Sequence, residues 1–231
     1  MPRETLSRQQ IIKTAVELLD EVGPEGLNMR ALGTRLGSAA TAVYWHVSNK
    51  NELIALACDR AWSEVLLPEL SRATWREAAT HMATGLHAML IRHPWLVEVF
   101  GSVPVFTISK ARHDEHNLTL YETAGFGASE ADQAAAAVFT YVLGNALGAA
   151  AAASAVRAQG RASGMDPDPT AANAERRRQA LEELPLLRAR AETSQAGNGL
   201  SPAGAFEYGL TVLLDGLQRR LDERLEGSSQ T

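Results

Sequence analysis

The sequence predicts an all-α protein, with an N-terminal helix-turn-helix domain of three helices and a larger helical bundle behind it. Hydrophobic residues make up 45% of the 231 residues, alanine is frequent and runs of β-branched residues are few, which favours helix. Apolar residues recur at intervals of three and four along most of the chain. This length allows two domains, which we place at residues 1–62 and 63–231.

The first helix is predicted to begin after Ser7. Its hydroxyl and Gln10, three residues later, have the form of a capping box. Gly23–Pro24 is expected to end the helix, because glycine accepts a left-handed conformation and proline cannot continue the hydrogen bonding. Between these signals, apolar residues follow one helical stripe: Ile11, Ala15, Leu18 and Val22.

Two short helices follow. Asn28 is a suitable N-cap for the second helix, which Gly37 should end. Ser38 is expected to cap a third, very short helix that runs to about His46. The second helix directs three residues inward: Met29, Leu32 and Leu36.

Two short helices joined by a glycine turn and supported by a longer first helix make a helix-turn-helix, whose second short helix enters the DNA major groove. A helix this short must anchor one face in the core. We expect Val43, Trp45 and Val47 to point inward and Tyr44 to point outward, where its hydroxyl could contact a phosphate.

Asn49 and Glu52 predict the start of a fourth helix, which continues the apolar pattern to about Leu67. The charge distribution also distinguishes this part of the chain. The net charge is −5, yet residues 1–56 are neutral overall, and residues 26–51 contain no acidic residue. They do contain Arg30, Arg35 and Lys50, a local positive strip of the kind that phosphate contacts require.

Residues 7–57, including IIKTAVELLDEVGPEGLNMRALGTRLGSAATAVYWHVSNKNELIALA, resemble the DNA-binding domain of the tetracycline-repressor (TetR) family. YWHVSNK, with Leu53 three residues after Lys50, is among the more specific features of that family. HPWLVEVF at 93–100 and FEYGLTVLLDGL at 206–217 resemble the ligand-binding domain of its tetracycline-repressor branch.

The resemblance implies a recognition helix at residues 40–46, a base-reading role for Arg30, phosphate contacts from Tyr44 and Lys50, and a cap near the DNA backbone from Asn28. Alanines and the Thr41 methyl cannot make bidentate base contacts, so Arg30 and DNA shape should supply much of the discrimination. The full predicted DNA-binding set is Asn28, Met29, Arg30, Ala39, Ala40, Thr41, Tyr44, His46 and Lys50.

Helical patterns continue in the C-terminal part. An apolar stripe should end near His93–Pro94, because a residue that precedes proline is biased away from helix. A second helix is predicted over 108–124. Residues 158–173, rich in Gly, Pro and Asp, are expected to form a loop before a helix over 174–192.

Residues 133–156 contain no charged residue and are long enough to span a bilayer. Their alanine content and interrupting polar residues favour instead a soluble helix buried on all sides. Its expected neighbours are the last helix, 202–225, and the same two helices of a second subunit. The resemblance also implies a homodimer through these helices.

Large side chains in the middle of the chain could form either the core or a ligand pocket, and the sequence leaves both readings open. The resemblance favours a pocket for a small molecule, with polar groups orienting it. The predicted ligand-binding residues are Met82, Leu86, Met89, Phe100, Phe106, His116, Asn117, Tyr121, Tyr141 and Asn145.

Metal binding and catalysis are not expected. His113 and His116 are three residues apart but belong to no zinc signature, and a solvated helix face is the preferred interpretation. The tetracycline repressor binds its drug as a magnesium chelate, and no histidine in 93–106 can be matched to the metal ligand, so tetracycline is not the expected effector. Nucleophile motifs and phosphate-binding glycine loops are missing from the sequence, no cofactor is expected, and Cys58 is interpreted as a core residue.

We therefore expect a cytoplasmic, ligand-responsive transcriptional regulator, acting as a repressor. It would bind a palindromic operator as a homodimer and be released by a small apolar or amphipathic effector. The alternative is a helical small-molecule carrier with weakened DNA binding. The alanine-rich recognition helix slightly favours that alternative, whereas Arg30, Tyr44 and Lys50 oppose it.

Overall fold

The computed structural model describes residues 6–102, 106–161, 169–195 and 202–228, and every regular element within them is helical. A 3₁₀ turn, Leu70–Arg72, follows the fourth helix. The α-helices are α1 Arg8–Gly26, α2 Met29–Arg35, α3 Ala40–Tyr44, α4 Lys50–Trp62, α5 Trp75–Arg92, α6 Trp95–Ser102, α7 Ile108–Ala124, α8 Ala128–Arg161, α9 Pro169–Glu183, α10 Pro185–Gln195 and α11 Pro202–Ser228.

Helix α1 begins at the predicted capping box. The backbone N–H of Gln10 donates to the Ser7 hydroxyl at 3.2 Å, and the Ser7 N–H donates to the Gln10 side chain at 2.9 Å. Gly23 breaks the helix as predicted, with φ of +69°, but one further turn containing Pro24 extends it to Gly26.

The turn between α2 and α3 is built on two glycines. Gly37 adopts φ of +61°. A side chain at Gly33 would place its Cβ 2.9 Å from the carbonyl oxygen of Ser38 and 3.0 Å from the backbone nitrogen of Ala40, so glycine allows α2 to approach the start of α3. The predicted cap at Ser38 is wrong: Ala39 is the N-cap and makes no side-chain hydrogen bond.

Helix α4 is capped as predicted, with the Asn49 side chain accepting from the Glu52 N–H at 2.9 Å. It ends at Trp62, earlier than expected, and packs along α1. Its buried face consists of Leu53, Ile54, Ala57, Cys58, Ala61 and Trp62.

The C-terminal bundle confirms the predicted ends of α5 and α7, the latter closed by Gly125 with φ of +110°. Three features differ from the predictions. Residues 95–102 form a separate helix, α6, and α8 and α9 extend into the predicted 158–173 loop, of which residues 162–168 lie outside the described part. Pro185 divides the predicted 174–192 helix into α9 and α10.

Helix α8 buries one stripe rather than all of its faces. Within the single chain, the buried positions recur every three or four residues and face α5, α6 and α7. The segment Ala128–Arg157 has the length and composition of a membrane span, and only 28% of its most apolar window is buried. The buried positions are Ala131, Ala134, Val138, Val142, Ala146 and Ala150.

Candidate DNA interface and ligand site

The surface around α3 exposes aromatic residues. Val43 and Val47 are buried as predicted and hold α3 on the core. Tyr44 is 52% exposed, which agrees with the outward orientation expected of it. The prediction that Trp45 points inward is wrong, since its side chain is 88% exposed. On a helix Trp45 lies about 200° from Val43, so the two cannot share a buried face.

The positive strip of Arg30, Arg35 and Lys50 has less unpaired charge than the sequence indicates. Arg35 makes a bidentate ion pair with Glu21 of α1, with N–O distances of 2.5 and 2.6 Å, and this pair raises the pKa of the guanidinium. Arg30 is exposed at the start of α2 and Lys50 is half-buried at the start of α4. Neither makes an ion pair with another described residue, so both charges remain available to a phosphate or base.

The other predicted DNA-binding residues divide by exposure. Asn28, Ala39, Thr41 and His46 are exposed, and Ala40 is half-buried at the α2–α3 contact. Asn28 caps α2 by accepting from the N–H of Ala31 at 2.8 Å. Met29 is only 8% exposed and its side chain belongs to the core, so the inclusion of that side chain among the DNA contacts is not supported.

Several of the predicted ligand residues line the centre of the bundle. Helix α5 contributes Met82, Leu86 and Met89, each at most 2% exposed, and α7 contributes the fully buried Tyr121. Phe100 is half-buried, with its ring centre 6.2 Å from that of Trp62 and 6.4 Å from that of Phe139; these rings form one aromatic wall.

Four of the predicted ligand residues lie elsewhere. Phe106 precedes α7 and is 79% exposed. The hydroxyl of Tyr141 donates to the backbone carbonyl of Phe206 in α11 at 2.8 Å, and Asn145 is exposed and donates to the Tyr141 carbonyl. His116 is half-buried and bonds through Nε2 to the carbonyl of Pro68 at 2.9 Å. Phe106 and Asn145 are exposed, whereas Tyr141 packs against the core beside α11 and His116 bonds to the segment that follows α4.

His113 contradicts the expectation of a solvated helix face. It is 2% exposed, and its ring packs edge-on against Trp62 of α4 at 5.1 Å. The side-chain amide of Asn117 lies 3.4 Å from Nδ1 of His113. No group of three or more metal-ligating side chains is found in the described part of the chain.

A polar cluster joins the helix-turn-helix to the bundle, and sequence analysis did not identify it. His93, 3% exposed, approaches Asp20 of α1 through Nδ1 at 2.8 Å and Glu64, just after α4, through Nε2 at 3.3 Å. Trp95 donates its indole N–H to the same Asp20 oxygen at 2.8 Å, and Arg92 pairs with Glu64 at 2.5 Å. We call these five residues the junction cluster.

The charges of the junction cluster are mutually stabilised. Burial would lower the pKa of His93, but its hydrogen bonds and attraction to Asp20 and Glu64 outweigh burial and raise the pKa above 6.5. Burial would raise the pKa of Glu64, yet His93 and Arg92 lower it, helped by Arg60 of α4. The HPW sequence at 93–95 is the feature that could have indicated this cluster. The residues that it contacts, however, lie about 30 and 75 residues earlier in the chain.

Helix α4 also contacts α7 directly. Asp59 accepts the backbone N–H of Ser109 in the first turn of α7 at 2.8 Å. Lys110 lies 5.5 Å from the ring centres of both Trp62 and Phe139, while its ammonium pairs with Asp114. A molecule beside His113 and Trp62 would therefore touch the helix that follows the helix-turn-helix.

The faces of α8 and α11 that are exposed in the single chain form an open apolar groove of about 460 Å³. Large apolar side chains remain exposed on them, among them Leu147, Tyr208 and Val212. A Cβ added at Gly144, Gly148 or Gly216 would meet no neighbouring side chain or helix of the described residues within 4 Å. These small residues would allow another helix to approach closely.

Two family models match the chain. The model described as "Bacterial regulatory proteins, tetR family" matches residues 11–57, the helix-turn-helix and the start of α4. The model described as "Tetracyclin repressor-like, C-terminal domain" matches residues 67–221, more than half of the chain.

Proteins of similar sequence are named as transcriptional regulators or repressors. A Saccharopolyspora erythraea HTH-type transcriptional regulator is 36% identical over 61% of this chain and 59% of its own length. The HTH-type transcriptional repressor DrrR1 of Streptomyces coeruleorubidus is 34% identical over 63% of this chain and 54% of its own. The chain thus spans little more than half of these relatives. An Escherichia coli class A tetracycline repressor is 27% identical over 93% of this chain and 92% of its own.

Solved structures share the fold. A possible TetR family transcriptional regulator from Streptomyces coelicolor A3(2) superposes with a TM-score of 0.69 at 26% identity, covering 92% of this chain and 99% of that one. With one family model matching the DNA-binding helices and another matching most of the bundle, this chain belongs to the TetR family of bacterial regulators, in its tetracycline-repressor-like branch.

Proposed function

We propose that this protein is a ligand-responsive transcriptional repressor of the cytoplasm that binds a palindromic operator as a homodimer and has no catalytic activity. The observation that carries the proposal concerns α4. This helix packs against the exposed helix-turn-helix and also contacts the buried core of the bundle. The relatives named as repressors support the direction of control.

On the operator, the α3 segment would lie in the major groove, with Tyr44 and Lys50 on phosphates and Arg30 on a base edge. Trp45 and His46 are exposed beside Tyr44 and would add contacts to the sugar-phosphate backbone. Because Ala39, Ala40 and Thr41 have short side chains, discrimination would come from Arg30 and from the shape of the DNA. These assignments rest on exposure and on available charge.

The homodimer would form through α8 and α11, over residues 133–156 and 202–225. Their exposed apolar side chains and open glycines support a four-helix interface between two copies. The exposed Asn145 would belong to this interface rather than to the ligand site. A two-fold dimer would present its recognition helices to half-sites about 34–36 Å apart, or a multiple of this.

Release would follow from a shift of α4. An effector against α7 and Trp62 would move α4 through the Asp59–Ser109 bond and the junction cluster, changing the separation of the two recognition helices. The structure of Streptomyces coelicolor ActR in complex with actinorhodin has a similar fold, with a TM-score of 0.68 at 24% identity over 94% of this chain and 97% of that one. To shift the ratio of released to DNA-binding states from 1:99 to 99:1, the effector must bind the released state more tightly by about 5.5 kcal/mol.

Selection of bound DNA from a random duplex pool tests this function. We expect enrichment of a palindrome whose affinity falls steeply with salt, because a dimeric interface releases counterions from several phosphates. A folded dimer that enriches no sequence at low salt would contradict repression and would favour a helical carrier of small molecules.

A further inference from the structure

The buried stripe of α8 ends in a charged residue. Residues 133–156 contain no charged side chain, and Arg157 is the first to follow them. Arg157 comes seven residues after the buried Ala150, almost two helical turns, and therefore lies on the same face of α8. Its side chain is 9% exposed. A guanidinium stays charged in a protein, so its burial must be compensated by a partner.

Helix α6 supplies that compensation. The Arg157 guanidinium forms an ion pair with the Glu98 carboxylate, whose side chain is 33% exposed. Removing one partner of a buried ion pair is strongly destabilising, whereas replacing both partners with apolar groups is often neutral. Such a pair adds little net stability, and its more plausible contribution is to specify one arrangement of the helices that it joins.

The same guanidinium packs against Gly23 of α1. A Cβ added at Gly23 would lie 2.9 Å from Nε of Arg157 and 3.4 Å from its Cζ. Gly23 is buried and has the positive φ at which α1 kinks. Glycine thus serves two purposes here, because it accepts this conformation and lets the guanidinium approach the backbone. Helix α8 therefore contacts α1 directly at the kink.

Helix α1 is held to the bundle at two neighbouring points along α6. Trp95 and Glu98 are three residues apart on α6, a spacing that places them on one face. Trp95 donates its indole N–H to Asp20 of α1. One turn further along both helices, Glu98 holds Arg157 against Gly23. The second of these points connects α1 to α8.

This connection matters because of what the two helices do in the proposed dimer. Helix α8 belongs to the proposed subunit interface, and α1 packs on α2 and α4 and so supports the helix-turn-helix. In a two-fold dimer, the separation of the recognition helices must match the spacing of the half-sites. That separation depends on how α1 is oriented relative to α8, and Arg157 joins the two without passing through α4.

We propose that Arg157 is a positioning residue, which holds α1 against α8 and thereby sets the half-site spacing that the dimer accepts. The inference rests on the proposed function, because it assumes a homodimer through α8 and a two-fold operator. It differs from the α4 shift in what it predicts. Arg157 should determine the spacing between half-sites and leave the bases read within each half-site unchanged.

Duplexes with the half-sites selected by the wild type test this, with the selected spacer or one that is one or two base pairs longer or shorter. Each base pair changes the separation by about 3.4 Å. The variants are Arg157→Leu, Arg157→Lys and the double variant Arg157→Leu/Glu98→Leu, which leaves no charge unpaired and should fold even where the single variant does not. Arg76→Leu is the control, because it breaks an ion pair between α5 and α11.

The wild type and Arg76→Leu should prefer the selected spacer to the same degree. Arg157→Leu and the double variant should reduce that preference by roughly 5- to 10-fold, a modest coupling between two sites. Base preferences within the half-site should not change. Arg157→Lys should lie in between, because lysine can still pair with Glu98 but lacks the planar group that packs on Gly23.

A distance measurement tests the same claim without DNA. Thr34 is exposed on α2, so spin labels at Thr34→Cys, in a Cys58→Ala background, report the separation of the two DNA-binding domains in the dimer. Pulsed electron paramagnetic resonance should give a broader distance distribution for the double variant than for the wild type. Light scattering and thermal unfolding establish that each variant is a folded dimer.

A double variant that folds as a dimer and keeps the wild-type spacer preference overturns the inference. Equal broadening of the spacer preference by Arg76→Leu also overturns it. A wild-type protein that selects no two-fold site contradicts the proposed function instead, and the spin-label distances still decide whether Arg157 holds the domains in place.

Discussion

His93 should make the stability of this protein depend on pH near neutrality. The protonated imidazole holds α1 and the end of α4 together through Asp20 and Glu64, and its pKa is raised above 6.5 in the folded state. A group with a raised folded pKa contributes its full stabilisation below the unfolded pKa, and that contribution is lost as pH rises through the folded pKa. Stability should therefore fall as pH rises from about 6 to 9.

The size of the effect follows from the two contacts. Hydrogen bonds to charged groups contribute about 1.5–3 kcal/mol each. The side chains of Asp20 and Glu64 are 31% and 22% exposed, and the Glu64 contact is long at 3.3 Å, so solvent weakens both. We expect about 2 kcal/mol for the charged imidazole as a whole. For a chain of this length, that corresponds to a Tm change of roughly 4–8 °C.

Thermal unfolding, monitored by circular dichroism, measures the pH dependence of stability directly. The protein concentration is kept fixed, because the stability of the proposed dimer would depend on it. The informative quantity is the difference in Tm between wild type and His93→Gln at each pH. It should be largest at about pH 6 and shrink towards pH 9. The control is His81→Gln, at an exposed histidine of α5. If the wild-type and His93→Gln curves run parallel over this range, the reasoning about the junction cluster is refuted.

Four substitutions test other parts of the structure. Gly33→Ala should cost about 1–3 kcal/mol and weaken operator binding, because the new Cβ meets backbone at the start of α3; denaturant unfolding and fluorescence anisotropy would measure both effects. Lys50→Ala should weaken binding to all sequences alike and reduce the salt slope by about 1 per half-site, whereas Arg30→Ala should also relax base preference in a repeated selection. Asp59→Ala should cost about 1 kcal/mol and speed hydrogen exchange at the start of α7, where Ser109 loses its acceptor. Unchanged exchange there would count against the α4–α7 contact.

The helix-turn-helix could be predicted well because its signals are local. Capping residues such as Ser7, Asn28 and Asn49 act on backbone groups within three residues. The starts of these helices can therefore be predicted from the sequence alone. The error at Trp45 has a physical cause. Its bulk favours burial, but α3 and the residues that follow it have only one buried face. Val43 and Val47 occupy that face.

The ligand site could be predicted only in part. Met82, Met89 and Tyr121 follow helical stripes, so their burial can be anticipated from the sequence. Burial of His113 depends on Trp62 from a helix about 50 residues earlier, and the exposure of Phe106 depends on its place between two helices. The junction cluster depends on similarly long-range pairing, which a single sequence does not encode in any spacing.

We expect the proposed DNA-binding surface and the bundle core to be coupled through α4, α7 and the junction cluster. Coupling of this kind is reciprocal, so operator binding must alter the core even without an effector. Hydrogen exchange read by mass spectrometry, with and without the selected operator, tests it most directly. Coupling predicts changed protection at the start of α7 and around His93, as well as in α2 and α3. A change confined to α1–α3 and the first turn of α4 would contradict it.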